Sequence, residues 1–250
     1  MAKEVKKDNR RKPLSRRQKS KIKIAIVIVE VVVLAILLVA LFFVRKLQLI
    51  ERDDDFDGSQ VEQNELEDDV KETLKGYTTI ALIGLDNRTV GTYTYGNADT
   101  IIIASINNDT KEVRLVSVYR DTYLQVNAEG KFSKINSAYN NQGGAKGMVD
   151  ALNRNLDLAI EDYVAVDWYA VAKTVDLLGG VEIELSNAEA NIVNELIVEN
   201  ESVTGFHTDR VAKAGLNELD GVQALAYARI RSLKGSDFAR TERQRIVITH

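Results

Sequence analysis

The stretch Thr78–Asp86, TTIALIGLD, is a run of apolar and β-branched residues that ends in an acid. Its composition is typical of a buried strand. A second run of the same kind, ADTIIIASIN, occupies Ala98–Asn107, and the polar turn Asn107–Thr110 connects it to EVRLVSVYRD at Glu112–Asp121. Because turn residues separate two β-rich runs, the second and third strands are predicted to form a hairpin.

Helical patterns and short strands alternate along the rest of the chain. The predicted helices are Ala145–Leu156, Trp168–Leu178, Asn187–Glu199 and Gly221–Arg229, the last capped by Asp220. The predicted strands are Tyr163–Asp167 and Val181–Leu185. Asn200–Arg210 is predicted to be a surface loop. This alternation indicates an α/β sandwich.

An apolar segment follows a basic tail at the start of the sequence. Residues 1–23 contain eleven lysines and arginines and two acids. Ile24–Val44 is apolar apart from Glu30 and has the ~20 residues that a helix needs to cross a bilayer. No small-residue cleavage site follows it, so we predict one uncleaved transmembrane helix. The positive-inside rule then places residues 1–23 in the cytoplasm and the rest of the chain outside the cell.

The chain beyond this segment is acidic. Eleven acids and two basic residues lie between Glu51 and Glu72. We predict that residues 45–76 form a linker or a solvated helical stalk and that residues 77–250 form one folded domain. The sequence stops at His250 within a helical pattern, so we expect this domain to be truncated at its C-terminus.

Charge and composition exclude several classes of function. The net charge is −4, to which the tail contributes +9 and Glu30 contributes −1, so residues 45–250 carry −12. An acidic body disfavours nucleic-acid binding. With no cysteine and two histidines, the chain has no thiol catalysis and no metal site of clustered Cys or His. A bound metal would be a hard cation held by carboxylates.

Tyr227–Arg245, YARIRSLKGSDFARTERQR, is a basic island in this acidic domain, with six basic residues and two acids. Arg240, Arg243 and Gln244 have the spacing of one helix face. Planar guanidinium groups beside an amide suit the binding of phosphate or pyrophosphate. A solvated basic face on a surface helix is the alternative.

Further polar residues occur where the predicted strands begin or end, positions at which a scaffold presents functional groups. They are Asp86 and Arg88, Asp99, and Arg120–Asp121. Two carboxylates near several arginines can form a site for Mg²⁺ and pyrophosphate, because the carboxylates hold the metal and the arginines neutralise the phosphates. Each group also has a plain alternative, either a hydrogen-bonded Asp at a strand end or a turn with a surface ion pair.

Seven motifs of the chain together resemble those of one protein family. In order, they are TTIALIGLDNR, NADTIIIAS, VSVYRDTYL, KINSAYNNQGG, VDLLGGVEI, LDGVQALAYARIR and DFARTERQR. From Thr78 to the last residue, the chain resembles the LytR-CpsA-Psr family of cell-wall enzymes. The resemblance implies a central mixed β-sheet sandwiched by helices. It also implies an enzyme that transfers a phosphorylated glycopolymer, such as teichoic acid or capsular polysaccharide, from a polyprenyl-pyrophosphate carrier to peptidoglycan, with Mg²⁺ or Mn²⁺.

The resemblance assigns roles to residues of this sequence. Asp86 and Asp99 would bind the metal. The pyrophosphate would be bound by Arg88, Arg120, Lys134, Arg229, Arg231, Arg240 and Gln244. The predicted catalytic residues are Arg120, Asp121, Arg229 and Arg231. Asp121 would orient Arg120 or act as a base, and Tyr119 departs from the family pattern, which usually has proline before the Arg-Asp pair.

Two other functions compete with this hypothesis. The first is a non-catalytic module that binds polyprenyl-linked intermediates and modulates cell-wall metabolism or gene expression. The second is a DNA-binding regulator, which rests on the basic tail alone. Asp86 and Asp99 beside the arginines favour the enzyme, for which hydrolysis of the pyrophosphate by water is a predictable side reaction.

Overall fold

The computed structural model describes residues 16–47, 52–141, 143–233 and 236–249. The chain divides into two compact units, Met1–Asp54 and Asp55–His250. The first unit contains the helix α1, Arg16–Leu47. Within the described parts of the chain, no helix combines the length and the hydropathy needed to cross a bilayer. The span predicted at Ile24–Val44 stays a prediction, and the first fifteen residues of the predicted tail lie outside the described residues.

The second unit is a mixed α/β fold. Its described strands are β1 (Tyr77–Leu85), β2 (Ala98–Asn107), β3 (Val113–Ser117), β4 (Tyr123–Gln125), β5 (Phe132–Lys134), β6 (Asp162–Val166), β7 (Val181–Leu185) and β8 (Gly215–Leu219). The central sheet has the order β3-β2-β1-β6. Its first three strands pair antiparallel, and β6 pairs parallel to β1. The mixed sheet is therefore confirmed, and β4-β5 and β7-β8 form two small antiparallel sheets.

Seven further helices are described in this unit. They are α2 (Asp68–Lys75), α3 (Ser137–Asn141), α4 (Ala145–Leu156), α5 (Trp168–Leu178), α6 (Asn187–Thr204), α7 (Gly221–Arg229) and α8 (Ser236–Thr249). The side chains of Asp167, Ser186 and Asp220 cap α5, α6 and α7 by accepting a backbone N–H of the first turn. Since these caps satisfy donors that a helix start leaves free, they fix where each helix begins.

The apolar residues form two core clusters. One joins the central sheet to α3 and α4 through buried residues such as Ile83, Met148 and Leu152. The other joins β7 and β8 to α5–α8, with Val193, Leu219 and Ile230 buried within it. The end of β1 lies beside the start of β2. Arg231, which precedes α8, and Arg240 in α8 both contact Asp99 at this end of the sheet, where the polar side chains described below are found.

The acidic stretch before β1 contributes to the first core cluster. Val61 is buried there. Arg154 Nε donates a hydrogen bond of 2.8 Å to Glu62 Oε1, and Asn153 Nδ2 donates one of 3.1 Å to the Glu62 carbonyl. Part of the segment predicted as a linker or stalk therefore packs against the body of the unit.

Two predicted boundaries were wrong. The loop predicted at Asn200–Arg210 begins five residues later than expected, because α6 continues to Thr204 and Asn200 is completely buried. The third strand, predicted to reach Asp121, ends at Ser117. The residues after it turn back toward β4, with Thr122 N donating to the Tyr119 carbonyl at 2.9 Å, so Arg120 lies in a turn.

Candidate active site

A β-bulge presents Asp99. In the β1–β2 pairing, Gly84 is opposite Thr100 and Leu85 is opposite Ala98, so Asp99 is the extra residue between them. Bulges of this kind redirect a side chain and often lie next to active sites. A Cβ on Gly84 would come within 2.8 Å of the Thr100 Cβ, so the close approach of the strands here requires glycine.

Asp99 is the centre of an arginine cluster. Arg120 Nη1 and Arg231 Nη2 lie 2.8 and 2.7 Å from the same carboxylate oxygen, Oδ2. Arg240 Nη2 donates to the Asp99 carbonyl at 3.4 Å, and Arg240 Nη1 is 4.0 Å from Oδ2. The Asp99 side chain is 15% exposed and that of Arg240 only 3%. Three arginines from three parts of the chain thus converge on one half-buried carboxylate.

Two further acids surround this arginine cluster. Asp237 forms an ion pair with Arg240, with Oδ1 3.2 Å from Nη2, and its Oδ2 lies 4.0 Å from Arg120 Nη2. Asp121 is 3.6 Å from Arg120 Nε and 2.7 Å from Lys134 Nζ. The hydrogen bond from Lys134 lowers the pKa of the Asp121 carboxyl below its ordinary value of 3.8 and thereby stabilises its ionised form.

The guanidinium groups of this cluster differ in their electrostatics. Burial would lower the pKa of Arg120, but the hydrogen bond to Asp99 and the negative charges of Asp99, Asp237 and Asp121 together outweigh it, and the pKa is raised. Burial, followed by repulsion from Arg231 and Arg120, lowers the pKa of Arg240. Burial and the neighbouring cations destabilise the charged form of Arg240. An anion placed nearby would therefore stabilise this charge.

Three buried guanidinium nitrogens have no hydrogen-bond acceptor among the described residues: Arg120 Nε, Arg240 Nε and Arg240 Nη1. An unpaired buried donor costs about 1–3 kcal/mol, so such groups call for an explanation. They border a pocket of about 30 Å³, which has room for roughly one water molecule. Its polar lining is Asp99, Arg120, Asp121, Asp237, Arg240, Thr241 and Gln244.

A second cluster contains Arg88 and Arg229. Glu199 bridges them, with Oε1 3.0 Å from Arg88 Nη2 and Oε2 2.9 Å from Arg229 Nη2. The guanidinium carbon of Arg229 lies 3.6 Å from the centroid of a Trp168 ring, and Arg229 Nη1 donates to Asn200 Oδ1. Burial lowers the pKa of Arg229, and the hydrogen bond to Glu199 opposes this shift. The group is therefore a desolvated cation held in a fixed orientation.

Asp86 directly follows β1, at the same end of the sheet as Asp99. Its side chain is exposed, and its N–H donates to the Asn97 carbonyl at 3.2 Å. Its charge acts on Arg229, whose pKa it tends to raise. No group of three or more acids and histidines suited to a metal occurs among the described residues. Asp86 and Asp99 lie at the same end of the sheet, and two such carboxylates fit Mg²⁺, which is commonly bound by one or two carboxylates together with substrate phosphates.

The structure brings together Asp99, Arg120, Arg231 and Arg240, with Lys134 reaching them through Asp121 and Gln244 lining the pocket. Arg88 and Arg229 belong to the second cluster instead, near Asp86. Four residues of these clusters were not predicted from the sequence to belong to the site: Trp168, Glu199, Asn200 and Asp237. Glu199 lies 30 residues from Arg229 along the chain and has no motif around it, so its role is visible only in the fold.

Most of the chain matches one protein family. The LytR_cpsA_psr family model matches residues 45–250, and the chain belongs to this family. The chain is 33% identical, over 171 residues and 68% of its length, to the polyisoprenyl-teichoic acid–peptidoglycan teichoic acid transferase TagU of Enterococcus faecalis. It is 28% identical, over 78% of its length, to TagV of Bacillus subtilis, named as the same kind of transferase.

Solved structures have the same fold. The crystal structure of B. subtilis TagV matches with a TM-score of 0.53 and 26% identity, covering 70% of this chain and 63% of that one. A TagT structure with bound octaprenyl pyrophosphate lipid matches with a TM-score of 0.53 and 24% identity, covering 74% and 65%. The chain spans about half the length of the curated relatives it matches, 51% of the E. faecalis protein and 48% of TagV.

Proposed function

We propose that this protein is a membrane-anchored extracytoplasmic phosphotransferase. It moves a phosphorylated glycopolymer, of the teichoic acid or capsular polysaccharide type, from a polyprenyl-pyrophosphate carrier to peptidoglycan. The names of its relatives as teichoic acid transferases support this proposal. The apolar segment Ile24–Val44 would be the anchor, with the basic tail in the cytoplasm.

The observation that carries the proposal is the group of unpaired guanidinium nitrogens beside Asp99. Three buried donors of Arg120 and Arg240 have no acceptor within the described parts of the chain, and they border a small polar pocket. A phosphate oxygen is the acceptor that planar guanidinium groups bind best, often in bidentate fashion. A pyrophosphate would thus satisfy donors that the described residues leave unsatisfied.

Both arginine clusters have a part in the proposed reaction. Arg120, Arg231 and Arg240 would bind one phosphate, and Arg88 and Arg229 the other. Fixed cations stabilise the charge that develops on the phosphate oxygens in the transition state, and they do so most strongly in a desolvated site. Arg229 meets this condition, because Trp168 covers its guanidinium and Glu199 holds it in place.

The reaction forms one bond to phosphorus and breaks another. The hydroxyl oxygen of a peptidoglycan sugar attacks the glycopolymer phosphate in line, and the prenyl phosphate leaves with the bridging oxygen. Asp121, a carboxylate paired with Lys134, would take the hydroxyl proton or orient Arg120. Asp86 and Asp99 would hold Mg²⁺, which would neutralise pyrophosphate charge when bound. Water reaching the same phosphorus would give pyrophosphate hydrolysis as a side reaction.

A transfer assay tests this proposal. The full chain, in detergent, is incubated with a prenyl-pyrophosphoryl glycan, a soluble peptidoglycan acceptor and Mg²⁺, and the transferred product is measured. We expect Arg231→Ala and Arg229→Ala to lower the rate at least a hundredfold, as is typical for loss of one preorganised transition-state group. Arg114→Ala, which removes an exposed arginine paired with Glu112, is the matched control.

Chelation of Mg²⁺ is the second arm of this assay and is expected to stop transfer. Equal rates for wild type, Arg231→Ala and Arg229→Ala would show that the arginine clusters are not the active site. Binding of the lipid by the wild type without any transfer would favour a non-catalytic binding module.

A further inference from the structure

The hairpin formed by β4 and β5 has an exposed aromatic face next to the candidate active site. Tyr123 is opposite Lys134 in the pairing, and Gln125 is opposite Phe132. Residues directly opposite each other in an antiparallel pair share a face, so these four side chains lie on the same side of the hairpin. Tyr123 is 70% exposed, Phe132 52% and the Lys134 side chain 63%.

The two aromatic rings of this face stack against each other, and each remains exposed on its outer side. Their centroids are 5.9 Å apart and their planes differ by 28°. Exposed aromatic side chains grouped in this way often mark a binding surface, because their apolar area stays in water until a ligand covers it. The negative face of an aromatic ring attracts polarised C–H groups, which sugar rings present on their less polar face.

The aromatic face connects directly to the pocket through Asp121. Lys134 Nζ is 2.7 Å from Asp121 Oδ1, and Asp121 lines the pocket together with Tyr119 and Arg120. The chain from Tyr119 to Tyr123 can span at most about 14 Å when fully extended. A glycan lying on the hairpin face therefore has its nearest sugar beside the phosphate site.

We propose that this face, Tyr123, Phe132 and Lys134, binds the glycan strand of the peptidoglycan acceptor. The inference rests on the proposed function and identifies the side from which the acceptor enters. Asp121 is the carboxylate of the pocket that faces the hairpin, so a hydroxyl whose proton it takes comes from that direction. Lys134, which is paired with Asp121, places its ammonium donors beside the rings, where they can donate to hydroxyl and amide oxygens of a sugar.

The experiment compares the full chain in detergent with the double variant Tyr123→Ala/Phe132→Ala. Leu216→Ala is the matched control, because it removes an equally exposed apolar side chain from a strand of the other small sheet. Binding of a tetrasaccharide of alternating N-acetylglucosamine and N-acetylmuramic acid is measured by calorimetry. The KM for this acceptor in transfer and the KM for a prenyl-pyrophosphoryl glycan in acceptor-free hydrolysis are measured as well.

We expect the wild type and Leu216→Ala to bind the tetrasaccharide and the double variant to bind it about tenfold more weakly, as is usual when stacking rings are lost. The acceptor KM should rise by the same factor, with unchanged hydrolysis of the donor. Failure of the wild type to bind the tetrasaccharide, or equal binding by the double variant, overturns the proposal. So does a rise in the donor KM alone, which would assign the face to the donor glycan. Tetrasaccharide binding that is lost in the double variant, in a protein without transfer activity, supports the face while refuting the proposed function.

Discussion

Arg229 shows how a single residue is prepared for its role by partners that are distant in sequence. Trp168 covers its guanidinium, Asn200 accepts from Nη1, and Glu199 accepts from Nη2 at 2.9 Å. A buried arginine needs such compensation, because desolvation disfavours its charged form. These contacts fix both the charge and the orientation of the side chain.

Glu199→Gln tests this compensation. The variant keeps the shape of the side chain and removes the charge that faces Arg88 and Arg229. We expect the free energy of unfolding to fall by about 1–3 kcal/mol, because a half-buried cation loses its paired carboxylate. The measurement is urea unfolding followed by circular dichroism. Glu195→Gln, an exposed position one turn earlier in α6, is the control, and an equal effect of both substitutions would contradict this account.

The residues of the site could be predicted from the sequence only where they carry a motif. Asp99, Arg120, Arg231 and Arg240 were identified, and the fold brings them together. The partition into two clusters could not be predicted, since it depends on which guanidinium reaches Asp99 and which reaches Glu199. Arg243, predicted to share a helix face with Arg240 and Gln244, is buried and paired with Glu189 at 3.0 Å, a contact across 54 residues.

At the scale of elements, the position of α7 against α5 sets the position of Arg229. Gly221 begins α7, and its N–H donates to Asp176 Oδ1 at 2.7 Å. A Cβ at this glycine would come within 2.0 Å of the Ala172 carbonyl oxygen in α5. The two helices are therefore in contact through backbone atoms that cannot be displaced by a change of rotamer.

Gly221→Ala is expected to push α7 away from α5. Overpacking of this kind typically costs about 1–3 kcal/mol. Because α7 carries Arg229, the rate of donor hydrolysis should fall together with the thermal midpoint of unfolding. Gly76→Ala is the control: its Cβ would meet its nearest neighbour at 3.4 Å, and its φ of −73° suits any residue. Wild-type stability and hydrolysis in Gly221→Ala would show that the contact is not a tight one.

For the helices with a capping side chain, the first residue was predicted correctly. The helices α5 and α7 begin directly after Asp167 and Asp220, whose side chains accept from the first turn. The end of α6 was not predicted, because what continues it is tertiary: Asn200 Nδ2 donates to the Val222 carbonyl in α7 at 3.1 Å. The β-bulge at Asp99 likewise depends on pairing between two strands, which neither strand indicates alone.

At the scale of the folded unit, paired carboxylates tie distant segments together. Arg154 donates to Glu62, which lowers the Glu62 pKa below its ordinary value of 4.5. Burial would raise the pKa of Glu189, but hydrogen bonds from Ser186 and Arg243 outweigh it and the pKa is lowered. A carboxyl with a lowered pKa in the folded state stabilises the fold while it is ionised.

The stability of the protein should therefore depend on pH in the acid range. The ionised carboxylates of Glu62 and Glu189 stabilise the fold fully above the unfolded-state pKa of about 4.5. This stabilisation is lost as the pH falls through the lower pKa of the folded state. Urea unfolding measured between about pH 3 and about pH 7, a range that includes the ordinary carboxyl pKa values, checks this. Glu189→Gln should show a shallower loss below pH 4.5 than wild type. The exposed control Glu184→Gln should retain the wild-type slope, and identical slopes for all three proteins would refute the assignment.

The central claim is that both arginine clusters bind one pyrophosphate, and its most direct test is an affinity measurement. The dissociation constants of prenyl pyrophosphate and prenyl monophosphate are measured by calorimetry for the full chain, Arg231→Gln, Arg229→Gln and the control Arg114→Gln. We predict that wild type prefers the pyrophosphate by at least about tenfold and that each cluster variant loses this preference, since a charge-assisted hydrogen bond contributes about 1.5–3 kcal/mol. An unchanged preference in both Arg231→Gln and Arg229→Gln would contradict the account.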